Sequence, residues 1–191
     1  MAQPIPESKL LHLIQRNQWR DWLHENYRAQ DEIWLVYYKK HTGQPRISYN
    51  DAVEEALCCG WIDSIVKTVD EDRFAQRFSV RKSKGRYSQA NKERLRRLVQ
   101  EGKVMEDVLA TLPDLTEDDF EVPPDILEAI QANQQAWTNY RTFSASYIRI
   151  RIAYIDAARA RPDEFQKRLA NFIKMKEQNK QFGFGGIESY Y

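Results

Sequence analysis

Asp63 stands between Trp61 and Ser64 in a stretch rich in β-branched residues, and a carboxylate placed there has two uses. With Arg77 or Arg81 brought across a hairpin, it could orient a ligand, or act as a base if desolvation raised its pKa. The same acid and guanidinium could instead form a structural pair that fixes the hairpin, which is the expected use. Trp61 and Tyr49 beside the pair would line a pocket or, more commonly, pack into the core. A second group lies just downstream. Residues 81 to 97, RKSKGRYSQANKERLRR, hold eight basic side chains against one acid. With a helix opening at Ser88, they offer a footing for phosphate groups or another small anionic ligand. The competing account is a solvated helix face balanced by acid downstream, with arginine stems covering apolar surface. The candidate ligand-binding residues are therefore Trp61, Asp63, Arg77, Arg81, Lys82, Arg86 and Asn91. No residue is assigned as catalytic.

Other chemistries find no footing. His12, His24 and His41 have no ligand spacing with one another or with the cysteines, so no metal site is expected. No G-x-S-x-G, phosphate-binding P-loop or dinucleotide fingerprint occurs, and no cofactor is expected. Cys58 and Cys59 are adjacent, which suits neither a redox pair nor a structural bridge; they read as buried thiols in a reducing compartment. The 191 residues are 42% hydrophobic and 30% charged, with a net charge of +1, enough for one packed core. A pI near 7.7 gives no strongly basic domain, so nucleic-acid binding is not the expected role. No apolar run approaches a membrane span, and MAQPIPESKL lacks the apolar core of a signal peptide, so the expected location is cytoplasmic.

The elements that must position these residues follow from periodicity. Ser48, three residues before Asp51, caps a helix in which Val53, Ala56, Leu57 and Gly60 share a buried face, with Asp51, Glu54 and Glu55 on the other side. Gly60 ends it. From Trp61 the period becomes two. A strand to Val69, a turn at Asp70-Glu71-Asp72, and a return strand make a hairpin, with Phe74, Gln76, Phe78 and Val80 opposite in face to Arg73, Ala75, Arg77 and Ser79. Upstream, Leu10 to Ile14 reads as an edge strand, and Asn17 as the cap of a helix bearing Trp19, Trp22, Leu23 and Asn26. Ile33 to Lys39 reads as a central strand and Thr42-Gly43 as the turn out of it. Downstream, Leu95, Leu98 and Val99 mark a helix from Ser88. The acidic segment 105–123, with Pro113 and Pro123 and ended by Pro124, reads as a connecting loop. Helices then follow from Pro124, from Ser146 to Arg161 and from Asp163 to Asn179. The predicted fold is α+β in one domain, 1–191: an α+β core over 1–104 with a small antiparallel sheet and flanking helices, the loop, a helical part over 124–180, and a Gly/aromatic arm over 181–191. Phe182, Phe184, Tyr190 and Tyr191 of that arm are expected to dock on the globule or on a second copy in a homo-oligomer.

Several of these residues carry a resemblance. Ser48-Tyr49, the run Asp51 to Leu57, Gly60-Trp61-Ile62-Asp63, Arg77-Phe78-Ser79 with Arg81-Lys82, and Ser88 with Asn91 resemble the bacterial YdeI/OmpD-associated, or bacteriocin-protection, family. Trp34-Leu35, Tyr38-Lys39-Lys40, Pro124-Asp125, Ala129, Asn133, the Gly-rich stretch Phe182 to Gly186 and Tyr190-Tyr191 extend the likeness over most of the chain. Cys59 stands where an aromatic is common, and Tyr87 where a tryptophan is expected. The resemblance implies an association with bacteriocin protection and with an outer-membrane porin, and names no chemistry. The favoured reading is a protein that binds a small anionic ligand or a protein partner in the Trp61–Asp63 and Arg77–Arg86 region. The alternatives are an enzyme using Asp63 with Arg77 or Arg81, and weak nucleic-acid binding through residues 81–97.

Overall fold

A computed structural model describes residues 4–82, 87–113, 115 and 120–183. Its contacts divide the chain into two compact units, Met1–Arg86 with Arg94–Pro113, and Tyr87–Glu93 with Asp114–Tyr191.

The first unit contains β1 (Leu10–Leu11), α1 (Arg16–Asn26), β2 (Glu32–Tyr38), α2 (Tyr49–Cys58), β3 (Trp61–Thr68), β4 (Arg73–Val80), most of α3 (Gln89–Gln100) and the short α4 (Glu106–Leu109). The last of these lies inside the segment expected to be loop. Among the described residues the sheet has four strands in the order β1-β2-β4-β3. The three long strands are antiparallel, and two-residue β1 joins the edge in parallel, Leu10 opposite Trp34. β2 is interior, and its five central residues are buried, as an apolar run covered on both faces must be. Helix α1 begins at Arg16, one residue before the expected cap. Its cap is Gln15, paired reciprocally with Gln18.

Residues directly opposite in a ladder share a face. Register therefore places Leu35, Tyr37, Gln76, Phe78 and Asp63 on one side, with Trp34, Val36, Ala75, Arg77 and Lys67 on the other. The first side receives α1 and α2: the Trp19 ring lies 5.2 Å from Phe78, and the Trp22 ring 6.0 Å from Trp61. On the second side Trp34, Val36 and Ala75 pack with Ile5, Leu10 and Val69.

Helix α2 opens as expected, the Ser48 hydroxyl accepting from the Asp51 N–H at 3.1 Å. It departs from the expectation in its polar residues. Glu54 and Glu55 are 1% and 3% exposed, because guanidinium groups meet them there. Arg16 bonds Asp51, Glu54 and Glu55, Arg20 bonds Glu55, and Arg97 bonds Glu54. Gly60 ends the helix region with φ +70°, and a Cβ there would meet a Val108 methyl at 3.3 Å. Cys58 and Cys59 are buried free thiols, each pushed up to about 12 by burial first and then by the charge of Glu55.

The second unit is helical. Its elements are α5 (Pro124–Gln131), α6 (Gln134–Tyr140), α7 (Ala145–Asp156) and α8 (Pro162–Glu177), together with the first turn of α3. Pro124 and Pro162 occupy first-turn positions, where the missing N–H costs nothing. The helix expected from Pro124 is interrupted at Asn133. Its side chain accepts from the Ala136 N–H at 2.9 Å and starts α6. Ile126, Ile130, Tyr147, Ile152, Ile155, Phe165, Leu169 and Phe172 form the core. Of the arm's aromatics, Phe182 packs its ring 6.4 Å from that of Phe172; Phe184, Tyr190 and Tyr191 lie outside the described residues. Among the described residues no helix is long and apolar enough to cross a membrane.

Candidate functional site

Asp63 leads to the site, with partners other than the arginines expected for it. Its Oδ2 accepts from the Tyr49 hydroxyl at 3.0 Å and from Gln76 Nε2 at 2.8 Å. The reason lies in β3. Thr68, Lys67 and Val66 pair with Phe74, Ala75 and Gln76, but Asp63 pairs with Phe78, so Ser64 and Ile65 together oppose Arg77 across a β-bulge. Carried on without the bulge, the register would set Asp63 opposite Ser79, on the face of Arg77. The extra residue turns it to the other face, where Gln76 and the helices are. Arg77 instead donates its Nε to Glu32 at 2.7 Å, and Lys9 bonds the same carboxylate.

Three further residues of the first unit gather around Asp63. Tyr37, on β2, is 4% exposed, and its hydroxyl finds no hydrogen-bond partner among the described residues. Asn50, the second residue of α2, accepts from the Arg94 guanidinium of α3 at 2.6 Å. Arg94 in turn acts electrostatically on both Asp63 and Tyr49. Tyr37, Asn50, Gln76 and Arg94 are buried, while Asp63 and Tyr49 are half-buried, so solvent reaches the group from the Asp63 side. Burial pushes the Asp63 carboxyl above the ordinary aspartate range against the opposing hydrogen bonds of Tyr49 and Gln76 and the charge of Arg94. Burial, then the negative charge at Asp63, raises both tyrosines, so Tyr37 and Tyr49 keep their protons and can donate.

The remaining candidates are dispersed. Trp61 is fully buried and donates its indole N–H to the Tyr27 carbonyl at 3.1 Å, which makes it a core anchor. The Arg81 backbone N–H bonds Gly60 O, and Lys82 is exposed. Asn91 falls in the second unit, its backbone N–H on the Ser88 hydroxyl at 3.3 Å. Arg86 lies outside the described residues. Two cations of the basic run are spent internally, Arg94 on Asn50 and Arg97 on Glu54 and Glu101. Of the cluster's members, Tyr37, Asn50 and Gln76 were not read as site residues. The signal for such a site was available in Gln76, an amide on the apolar face between Phe74 and Phe78.

Residues 11–111, over half of the chain, match the model of a domain of unknown function (DUF8412). Residues 119–179 match the model described as bacteriocin-protection, YdeI or OmpD-associated. The chain belongs to the DUF8412 family and carries a YdeI/OmpD-associated domain. The Asp63 cluster lies wholly within the DUF8412 match, as do the motifs of residues 48–91, while Pro124, Asp125, Ala129 and Asn133 fall in the YdeI/OmpD-associated one. No curated protein and no solved structure matches the chain.

Proposed function

We propose that this YdeI/OmpD-associated protein binds a small polar ligand at the Tyr37–Tyr49–Asp63–Gln76 cluster of its DUF8412 segment. The reading is carried by the Tyr37 hydroxyl, buried beside a half-buried carboxylate and lacking a partner among the described residues. Leaving such a group unsatisfied costs about 1–3 kcal/mol, a cost that a ligand offering it an acceptor would remove. The Arg94 guanidinium behind Asp63 suits a ligand with anionic character, and Asp63 suits a donor on the same molecule. The second matched family carries bacteriocin protection in its description, and the binding is proposed to serve that role.

The test is a thermal-shift screen of nucleotides, phosphosugars, dicarboxylates and polar metabolites. A ligand at a hundred times its Kd adds about 2.7 kcal/mol of stability. The expected result is a shift lost in both Tyr37→Phe and Asp63→Asn. Tyr37→Phe alone should raise the stability of the ligand-free protein by about 1 kcal/mol, since it deletes an unsatisfied hydroxyl and keeps the ring. A ligand shift that survives both substitutions, or a Tyr37→Phe protein less stable than the parent, would remove the basis of the proposal.

The raised Asp63 carboxyl favours a second reading, in which Asp63 acts as an acid or base on the bound molecule. Turnover abolished in Asp63→Asn while the ligand still binds would distinguish catalysis from binding.

A further inference from the structure

Lys176, in the last turn of α8, is 0% exposed. Its Nζ lies 3.3 Å from the Phe143 ring centroid, 4.6 Å from Tyr147 and 5.4 Å from Phe172, and reaches the Tyr147 hydroxyl at 3.5 Å. That hydroxyl does more than meet the amine. It donates to the Phe182 carbonyl at 3.1 Å and accepts from the Phe182 N–H at 3.0 Å. The first residues after α8 are thus tied to α7 through the same oxygen that touches Lys176. The Phe182 ring lies 4.1 Å from the Arg151 guanidinium and 6.4 Å from the Phe172 ring, which is one wall of the cage.

We infer that Lys176 and Tyr147 form a proton-sensitive latch on the C-terminal strap, holding Phe182 against the helical unit while the amine is neutral and loosening it as the amine takes up a proton. A charged ammonium in this cage has aromatic faces and one hydroxyl in place of water. The charged group acting on it is Arg151 of α7, of like sign. Around it α6 contributes the Asn139 amide on the Lys176 carbonyl at 2.8 Å and the Tyr140 phenol, whose ring meets Phe172 edge-on. Glu177 of α8 turns to Asn133. Lifting Phe182 admits water to the ammonium at the loss of two hydrogen bonds.

The direction follows from linkage. Burial first, and Arg151 second, bring the amine down from its ordinary 10.5 to about 7. With the strap lifted the amine returns toward its ordinary value, so between those limits the open form binds more protons, and falling pH favours it. The strap holds tightest above the ordinary lysine range, loosens down to about pH 7, and changes no further below that.

Chymotryptic cleavage after Phe182 of the full chain, read by mass and normalised to a peptide of the same local sequence, tests the latch at pH 7 and pH 9. Cleavage through transient opening follows the open population. The parent protein should be cut roughly tenfold or more faster at pH 7 than at pH 9. Lys176→Met should cut at equal rates at the two pH values. Tyr147→Phe, which keeps the ring and removes the shared oxygen, should be cut fast at both, and it serves alone if Lys176→Met does not fold. Equal parental rates at the two pH values would overturn the inference, as would a parental ratio retained in Lys176→Met or, where that variant fails to fold, in Tyr147→Phe.

Discussion

Glu55 and Asp63 are acids on neighbouring elements of one unit, and their surroundings treat them in opposite ways. Burial drives both carboxyls up, but the hydrogen bonds and charges of Arg20 and Arg16 more than offset it at Glu55, which titrates below its ordinary range. Asp63, held by a phenol and an amide, stays above its own. Glu55 therefore contributes stability that is present above its unfolded pKa and lost as pH falls through the lower folded one. Glu55→Gln should cost about 2 kcal/mol at neutral pH, and urea titrations from pH 6 to pH 3 should show a shallower acid decline than in the parent; an identical decline would mean that the pair is not linked to folding. Asp63 was legible as a candidate because an acid interrupts an apolar strand. Its partners were not, because the bulge at Ser64-Ile65 has no glycine to announce it, and one extra residue moved the carboxylate across the sheet.

Among the elements, α2 shows how far periodicity reaches. Its cap, its apolar face and its end at Gly60 all follow from spacing, and all are found. Glu54 and Glu55 were misplaced because a period records one helix, while the arginines that bury them come from α1 and α3. The same limit explains Asn133, where one apolar face continues through a cap that splits two helices. Gly60 carries a sharper consequence, since φ +70° strains any other residue and Val108 stands 3.3 Å from the absent Cβ. Gly60→Ala should lower stability by roughly 1–2 kcal/mol in denaturant titration. An unchanged midpoint would show that the α2–β3 connection relaxes freely.

For the molecule as a whole, the α+β first half and helical second half were legible because strand and helix periods separate cleanly near Ser88. The crossing between the two units inside α3, at residues 93 and 94, was not, because no proline, glycine or change of period marks it, whereas Pro113 stands at the last crossing. Glu93 is 3% exposed and bonds Arg149 at 2.7 and 2.8 Å, all within the second unit. Glu93→Ala should therefore cost about 3 kcal/mol and speed amide exchange in α7, while β2 and β4 keep their protection. Loosening confined to the sheet would place Glu93 with the other unit. The border drawn by family likeness, between residues 111 and 119, takes in the crossing at Pro113 but leaves Tyr87–Glu93 on the side of the first unit. A genetic exchange crossing there would hand Arg149 to a descendant without its Glu93, so the helical half can be inherited by a new first half only if that newcomer brings an acid at the same turn of its last long helix.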